Sequence, residues 1–201
     1  MTIRRRPDKE CKAYDLDDLQ RVVDNLPVAE DRDWKTWIPL IGMLSGLRRE
    51  EICQFYPFDI RQVGNVWCFD VNSNGDDKSL KTESSDRLVP IHSALIRLGF
   101  IRFVETRKDS HNLWGFKKWQ TQWGKVFGNW YSGSFNRKYI SHDINVKYDL
   151  LYQNTPMNRT TAKVSVGLIK YIYFIIIRYG VKEGGAYSNF DNALLTLAAH
   201  C

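Results

Sequence analysis

Two stretches hold residue types that do chemistry on phosphates: Gly46-Leu47-Arg48-Arg49-Glu50-Glu51-Ile52 and, further on, Lys81-Thr82-Glu83-Ser84-Ser85-Asp86-Arg87-Leu88-Val89-Pro90. A phosphodiester under attack develops charge on its non-bridging oxygens. Arginine suits that charge, because its planar fork stays protonated and donates two parallel hydrogen bonds. Arg48 or Arg49 can supply the fork, and Glu51, one helical turn after Arg48, can hold it in place. Lys81 and Arg87 flank an expected hairpin tip. An ammonium there can protonate a leaving oxygen if neighbouring cations lower its pKa. Taken singly, each of these residues is more economically read as a surface cation in an ordinary ion pair.

The elements that must position them are legible in part. Asp15 or Asp17 can cap a helix carrying the stripe Leu19, Val22, Val23 and Leu26, which Pro27 ends. Trp34 to Ser45 is apolar on most sides and reads as a buried, central helix closed by Gly46, with Pro39 marking either its first turn or a kink. A helix from about Arg48 to Phe55 follows, stopped by Pro57. Asp59 to Gly64 reads as a turn. Val66 to Val71, Ser79 to Thr82 and Arg87 to Ile91 read as strands, the last two around the tip Glu83 to Asp86. Helical spacing returns over Ser93 to Thr106 and over Phe116 to Trp130, the latter with a face of Trp119, Trp123, Phe127 and Trp130. The expected fold class is mainly α with a small three-stranded antiparallel β-sheet (α+β).

The composition sets the partners. Lys and Arg number 29 against 23 Asp and Glu, a formal charge of +6, and the sequence pI is near 9.1; such a balance favours polyanions. Residues 97 to 138 carry nine Lys and Arg against Glu105 and Asp109, or +7. They form either a solvated helix face or a nucleic-acid face. The tryptophans there are expected in the core rather than as base-stacking platforms. Cys11, Cys53, Cys68 and Cys201 form no C-x-x-C pair and have no histidine at zinc spacing, so neither a metal site nor a disulfide framework is indicated, and a reduced, cytoplasmic setting fits. No secretory signal is read at the start. The run Val164 to Tyr179 is expected as a buried strand or helix, because a membrane span needs about 20 apolar residues.

The order apolar helix, Gly-Leu-Arg-x-x-Glu-Ile-x-x-Phe, Asp59-Ile60, strand, then Lys-Thr-x-x-Ser-x-Arg-x-Val-Pro-Ile-His and a helix resembles the catalytic domain of the tyrosine recombinases, the phage integrase family. The resemblance covers residues 15–139. It implies that Arg48 is the first catalytic arginine, Glu51 its supporting acid and Lys81 the hairpin general acid toward the leaving 5′-oxygen. Arg87, Val89, Pro90 and His92 match the strand and helix start behind the hairpin. Arg49, Lys78, Arg87, His92, Lys117 and Lys118 are then the candidate DNA contacts. Family members break and rejoin DNA strands through a 3′-phosphotyrosyl link, with no metal and no cofactor. The implied partner is double-stranded DNA, with assembly of several copies on it left open and no membrane involved.

The family's His-x-x-Arg box has no counterpart here. None of His92, His111, His142 and His200 is followed three residues later by arginine. No tyrosine of the tail stands in the family's context, so the nucleophile is unassigned. The expected organisation is a basic arm (1–14), a partial integrase-like domain (15–139) and a divergent tail (140–201), poorly packed and truncated or frame-disrupted. The expected function is that of a DNA-binding remnant of a site-specific recombinase, not competent for strand transfer alone. The alternative is a non-catalytic DNA-binding or regulatory module using the basic helical face.

Overall fold

The structure, a computed structural model, describes residues 14–27, 33–80 and 86–140. Residues 1–13 of the arm, the link 28–32, the segment 81–85 with Lys81, and the tail from 141, including Val164 to Tyr179, lie outside the described residues.

Helix α1 (Leu16–Asn25) starts where Asp15 accepts the Asp18 amide at 2.8 Å, and Asp18 reaches back to the Asp15 amide. Asp17 and Asp18 also sit favourably in the positive first turn. Its apolar stripe, Leu19, Val22, Val23 and Leu26, is buried. Helix α2 (Trp34–Ser45) is capped by Asp33, which accepts from the Lys35 amide. Thr36 to Ser45 are all buried, so α2 is the central element the sequence indicated. Pro39 lies inside the helix rather than in its first turn. Gly46 ends it at φ +68°, a left-handed conformation that costs a residue with a Cβ. That reversal delivers Arg48 to the start of α3 (Arg49–Cys53).

The fold class is α+β, with one three-stranded antiparallel sheet among the described residues, in the order β1-β2-β3. Its strands differ from those expected. They are β1 (Ile60–Val63), β2 (Val66–Val71) and β3 (Arg87–Pro90). The stretch read as a turn is thus an edge strand, with Ile60 opposite Phe69 and Phe69 opposite Val89. Only Ile60 of β1 is buried, so the strand carries no alternation to betray it. Ser79 and Leu80, expected in a strand, are not in one: the Ser79 amide bonds the Gln54 side chain at 3.1 Å instead of a neighbouring strand.

The helix expected over Ser93–Thr106 is two, α4 (Ser93–Arg97) and α5 (Phe100–Glu105), broken at Gly99 with φ +89°. The helix expected over Phe116–Trp130 is confined to α6 (Lys125–Trp130), which runs on through a π turn (Tyr131–Phe135) into α7 (Asn136–Tyr139). Buried Asn112 takes the amides of Trp114 and Phe116 on its carbonyl oxygen, and its own amide reaches the Cys53 carbonyl at 2.9 Å. The Trp114 indole donates to the Ile52 carbonyl at 2.7 Å. The carbonyls at the end of α3 are thereby satisfied, and the chain after Asn112 is committed to a loop. Trp123 and Phe127 join the core, Trp130 packs against it, and Trp119 is exposed. Chain closure comes from α1 against α7, with Tyr14 bonded to Asn136.

Candidate functional site

Arg48 precedes the first turn of α3 with extended backbone (ψ 152°), which turns its amide toward Glu51. That amide donates to Glu51 Oε2 at 2.9 Å, and Arg48 Nη1 donates to Oε1 at 3.1 Å. Arg87, the first residue of β3, arrives from the other side with Nη2 on Oε2 at 2.8 Å and Nη1 on Oε1 at 3.3 Å. The Glu51 side chain is 5% exposed, whereas those of Arg48 and Arg87 are 48% and 37% exposed. Both carboxylate oxygens are therefore spent inward. One carboxylate thus meets two guanidinium groups, and both keep contact with solvent. Such an arrangement favours an oxyanion that accepts from both guanidinium planes.

Beside it, Glu50 accepts from the amides of Trp123 at 2.9 Å and Gly124 at 3.0 Å, the two residues before α6. A Cβ on Gly124 would stand 2.6 Å from Glu50 Oε1 and 3.1 Å from Arg49 Nε, so any larger residue here would displace the ends of those side chains. The Arg49 side chain is folded against Glu50, Gly124 and Gly128. Arg49, an alternative bearer of the phosphate fork, thus packs between α3 and α6, and Arg48 is the one paired with Glu51.

The chain leading to position 81 is anchored residue by residue. Asp77 accepts from the Tyr56 hydroxyl on one oxygen and meets His111 Nε2 at 2.7 Å on the other. Its carbonyl accepts from Lys118 Nζ at 2.6 Å and the Trp123 indole at 2.9 Å. Lys78, expected as a DNA contact, is instead sealed in the core. Its ammonium lies 2.6 Å from both oxygens of Asp59 and 3.0 Å from the Asn72 carbonyl oxygen, with side-chain exposures of 1% and 0% for the pair. The Tyr56 ring covers it, 4.2 Å from the ammonium. The physical reason is Asp59: a carboxylate at full burial requires a matched cation, and Lys78 is within reach. Burial pushes the Asp59 carboxyl above its ordinary range, with Lys78 and Asn72 pulling against it.

Of the remaining candidates, His92 caps α4, its Nδ1 accepting the Ala94 amide at 3.1 Å. Burial, with Arg97 second, lowers its pKa. Lys117 is exposed and Lys118 half-buried. The structure thus brings Arg48, Glu51 and Arg87 together, seals Lys78 in the core and leaves Arg49 partly exposed beside Glu50. Sequence reasoning missed Glu50, Tyr56, Asp59, Asp77 and His111. The Asp59-Ile60 pair in the family pattern was the one signal that pointed at any of them.

Among the described residues no helix is long and apolar enough to cross a membrane, and no group of three His, Cys, Asp or Glu side chains is arranged to hold a metal ion. No family model, curated protein or solved structure matches the chain.

Proposed function

We propose that this chain is a DNA-binding remnant of a site-specific tyrosine recombinase, recognising the phosphate backbone of duplex DNA through Arg48 and Arg87 and unable to exchange strands by itself. The observation that carries this reading is the pairing of two half-exposed guanidinium groups on one sealed carboxylate, Glu51. Both guanidinium groups keep a face in water from which a phosphate oxygen can accept hydrogen bonds. Lys81, which the family resemblance makes a proton donor, has no leaving oxygen to serve without a nucleophile and is proposed only as a further cation for the phosphate backbone. The chain offers no His-x-x-Arg and no assignable nucleophilic tyrosine. Covalent catalysis and a large share of the charge stabilisation are therefore absent from the proposal.

The same lack favours the second reading, a regulatory DNA-binding module. A duplex carrying a nick beside the scissile position separates binder from enzyme, because a recombinase that cleaves it loses the short product and stays covalently attached. The expected result is salt-sensitive binding with no adduct resistant to denaturation. A trapped adduct would overturn the non-catalytic reading, and absence of DNA binding would overturn both.

A further inference from the structure

Trp119 stands apart from the other tryptophans. They are buried or half-buried, whereas Trp119 is 63% exposed and, among the described residues, its ring meets no other aromatic ring. It opens a tight turn in which Trp119 and Gln122 exchange both backbone hydrogen bonds at 2.9 Å, with Gln120 and Thr121 at the tip. Gln120 has φ +52°, the single positive φ among the described non-glycine residues. Two-residue hairpin turns favour glycine where φ is positive, and a side chain held there stores strain.

The turn is rooted in the candidate site. Lys118 and Trp123, on either side of it, both donate to the Asp77 carbonyl, and the Trp123 and Gly124 amides end on Glu50 of α3. A large apolar ring is thus held outward on a fixed, strained turn whose base is hydrogen-bonded to Glu50, the helix neighbour of Glu51. Its surroundings are cationic: Lys117 and Lys125 are exposed, within a segment of nine Lys and Arg against two acids. The positive excess of this segment, on a chain of net charge +6, favours a polyanion over a second copy of this chain.

We propose that Trp119 is a stacking post for an unpaired base of a DNA strand whose backbone runs along Lys117 and Lys125. The inference rests on the DNA-binding reading and adds a preference for locally unpaired DNA. Base–aromatic stacking needs a rigid, accessible ring and tolerates any base, while the neighbouring lysines hold the phosphates.

The test uses the full chain and two labelled probes, a fully paired duplex and the same duplex with a short single-stranded gap, with affinities read by fluorescence anisotropy. Wild-type protein is expected to prefer the gapped probe. Trp119→Ala should weaken binding to that probe by about tenfold and leave the paired probe within about twofold, while Trp119→Phe retains most of the preference. Lys117→Ala should weaken both probes alike and flatten the salt dependence. An unchanged melting temperature of Trp119→Ala verifies the fold. Equal binding of both probes by wild type, or an unchanged preference in Trp119→Ala, overturns the stacking post and leaves the DNA-binding reading standing. Failure of wild type to bind either probe overturns both. Loss of self-association in Trp119→Ala on sedimentation, with DNA preference intact, would assign the ring to a second copy instead and overturn the proposal.

Discussion

Glu51 and Asp59 are both nearly sealed carboxylates on neighbouring elements, and they are neutralised in opposite ways. Asp59 meets one ammonium, Lys78, which is sealed with it, and the Tyr56 amide and Asn72 side chain complete its hydrogen bonds. Glu51 meets two guanidinium groups, both half in water. The first cluster is closed, with charges matched and no donor turned outward; its work is to fix the segment 72–80. The second is open, with both of its guanidinium groups in contact with solvent. The two clusters differ in which partner keeps contact with solvent: neither does in the Asp59 pair, and both cations do at Glu51.

The comparison breaks most visibly at the closed cluster. Lys78→Met leaves a buried carboxylate without its cation and should cost about 3–5 kcal/mol in urea unfolding. Adding Asp59→Asn should recover part of that loss, since the amide oxygen still accepts from the Tyr56 amide. An exposed pair would lose no more than about 1 kcal/mol in the same variant, and that result would remove Lys78 from the core.

Glu51→Gln sharpens the contrast. It keeps the shape but takes the charge from between Arg48 and Arg87, and is expected to cost about 1–3 kcal/mol, less than Lys78→Met because both guanidinium groups can turn to water. A loss as large as that of Lys78→Met would make the Glu51 cluster as closed as the Asp59 one.

A smaller effect lies at His92, beside the sheet. Its neutral ring caps α4 through Nδ1, and burial holds its folded pKa below the unfolded value near 6.5. The sign follows: its contribution is complete above about pH 6.5 and is lost as the pH falls toward and through the folded value. His92→Asn, which caps without titrating, should reduce the stability lost between about pH 7.5 and pH 5, by under about 1 kcal/mol. An identical pH profile in the variant would place the ring elsewhere.

Local rules made the first third of the molecule readable. The acids before α1 and α2, the apolar α2 and Gly46 after it are signals within one helix length, and the Arg48–Glu51 pair follows from helical spacing alone. Long-range partners were not readable in the same way. Arg87 joins Glu51 from 36 residues away, and only the family pattern placed them in one site. Nothing near Lys78 in sequence tells a surface cation from a buried one, because its burial depends on Asp59 across the hairpin. The spacing of Trp119, Trp123 and Phe127 imitated a helix because two of the three do face the core. The backbone before α6 was committed to side chains, Trp114 and Phe116 to Asn112 and Trp123 and Gly124 to Glu50, and a side-chain pattern does not record where backbone hydrogen bonds go. The edge strand β1 was hidden for the opposite reason: it buries one residue of four.

The central claim, that the open cluster binds the phosphate backbone, is met most directly by the salt dependence of duplex binding in wild type and Arg48→Ala. This substitution removes one half-exposed guanidinium and leaves Arg87 on Glu51, so the folded state should lose about 0.5 kcal/mol or less. The expected result is a wild-type affinity that falls linearly with the logarithm of salt concentration, and a variant that binds more weakly with a slope shallower by about 0.9. A wild-type protein with no measurable duplex affinity, or a variant with unchanged affinity and slope, would contradict it.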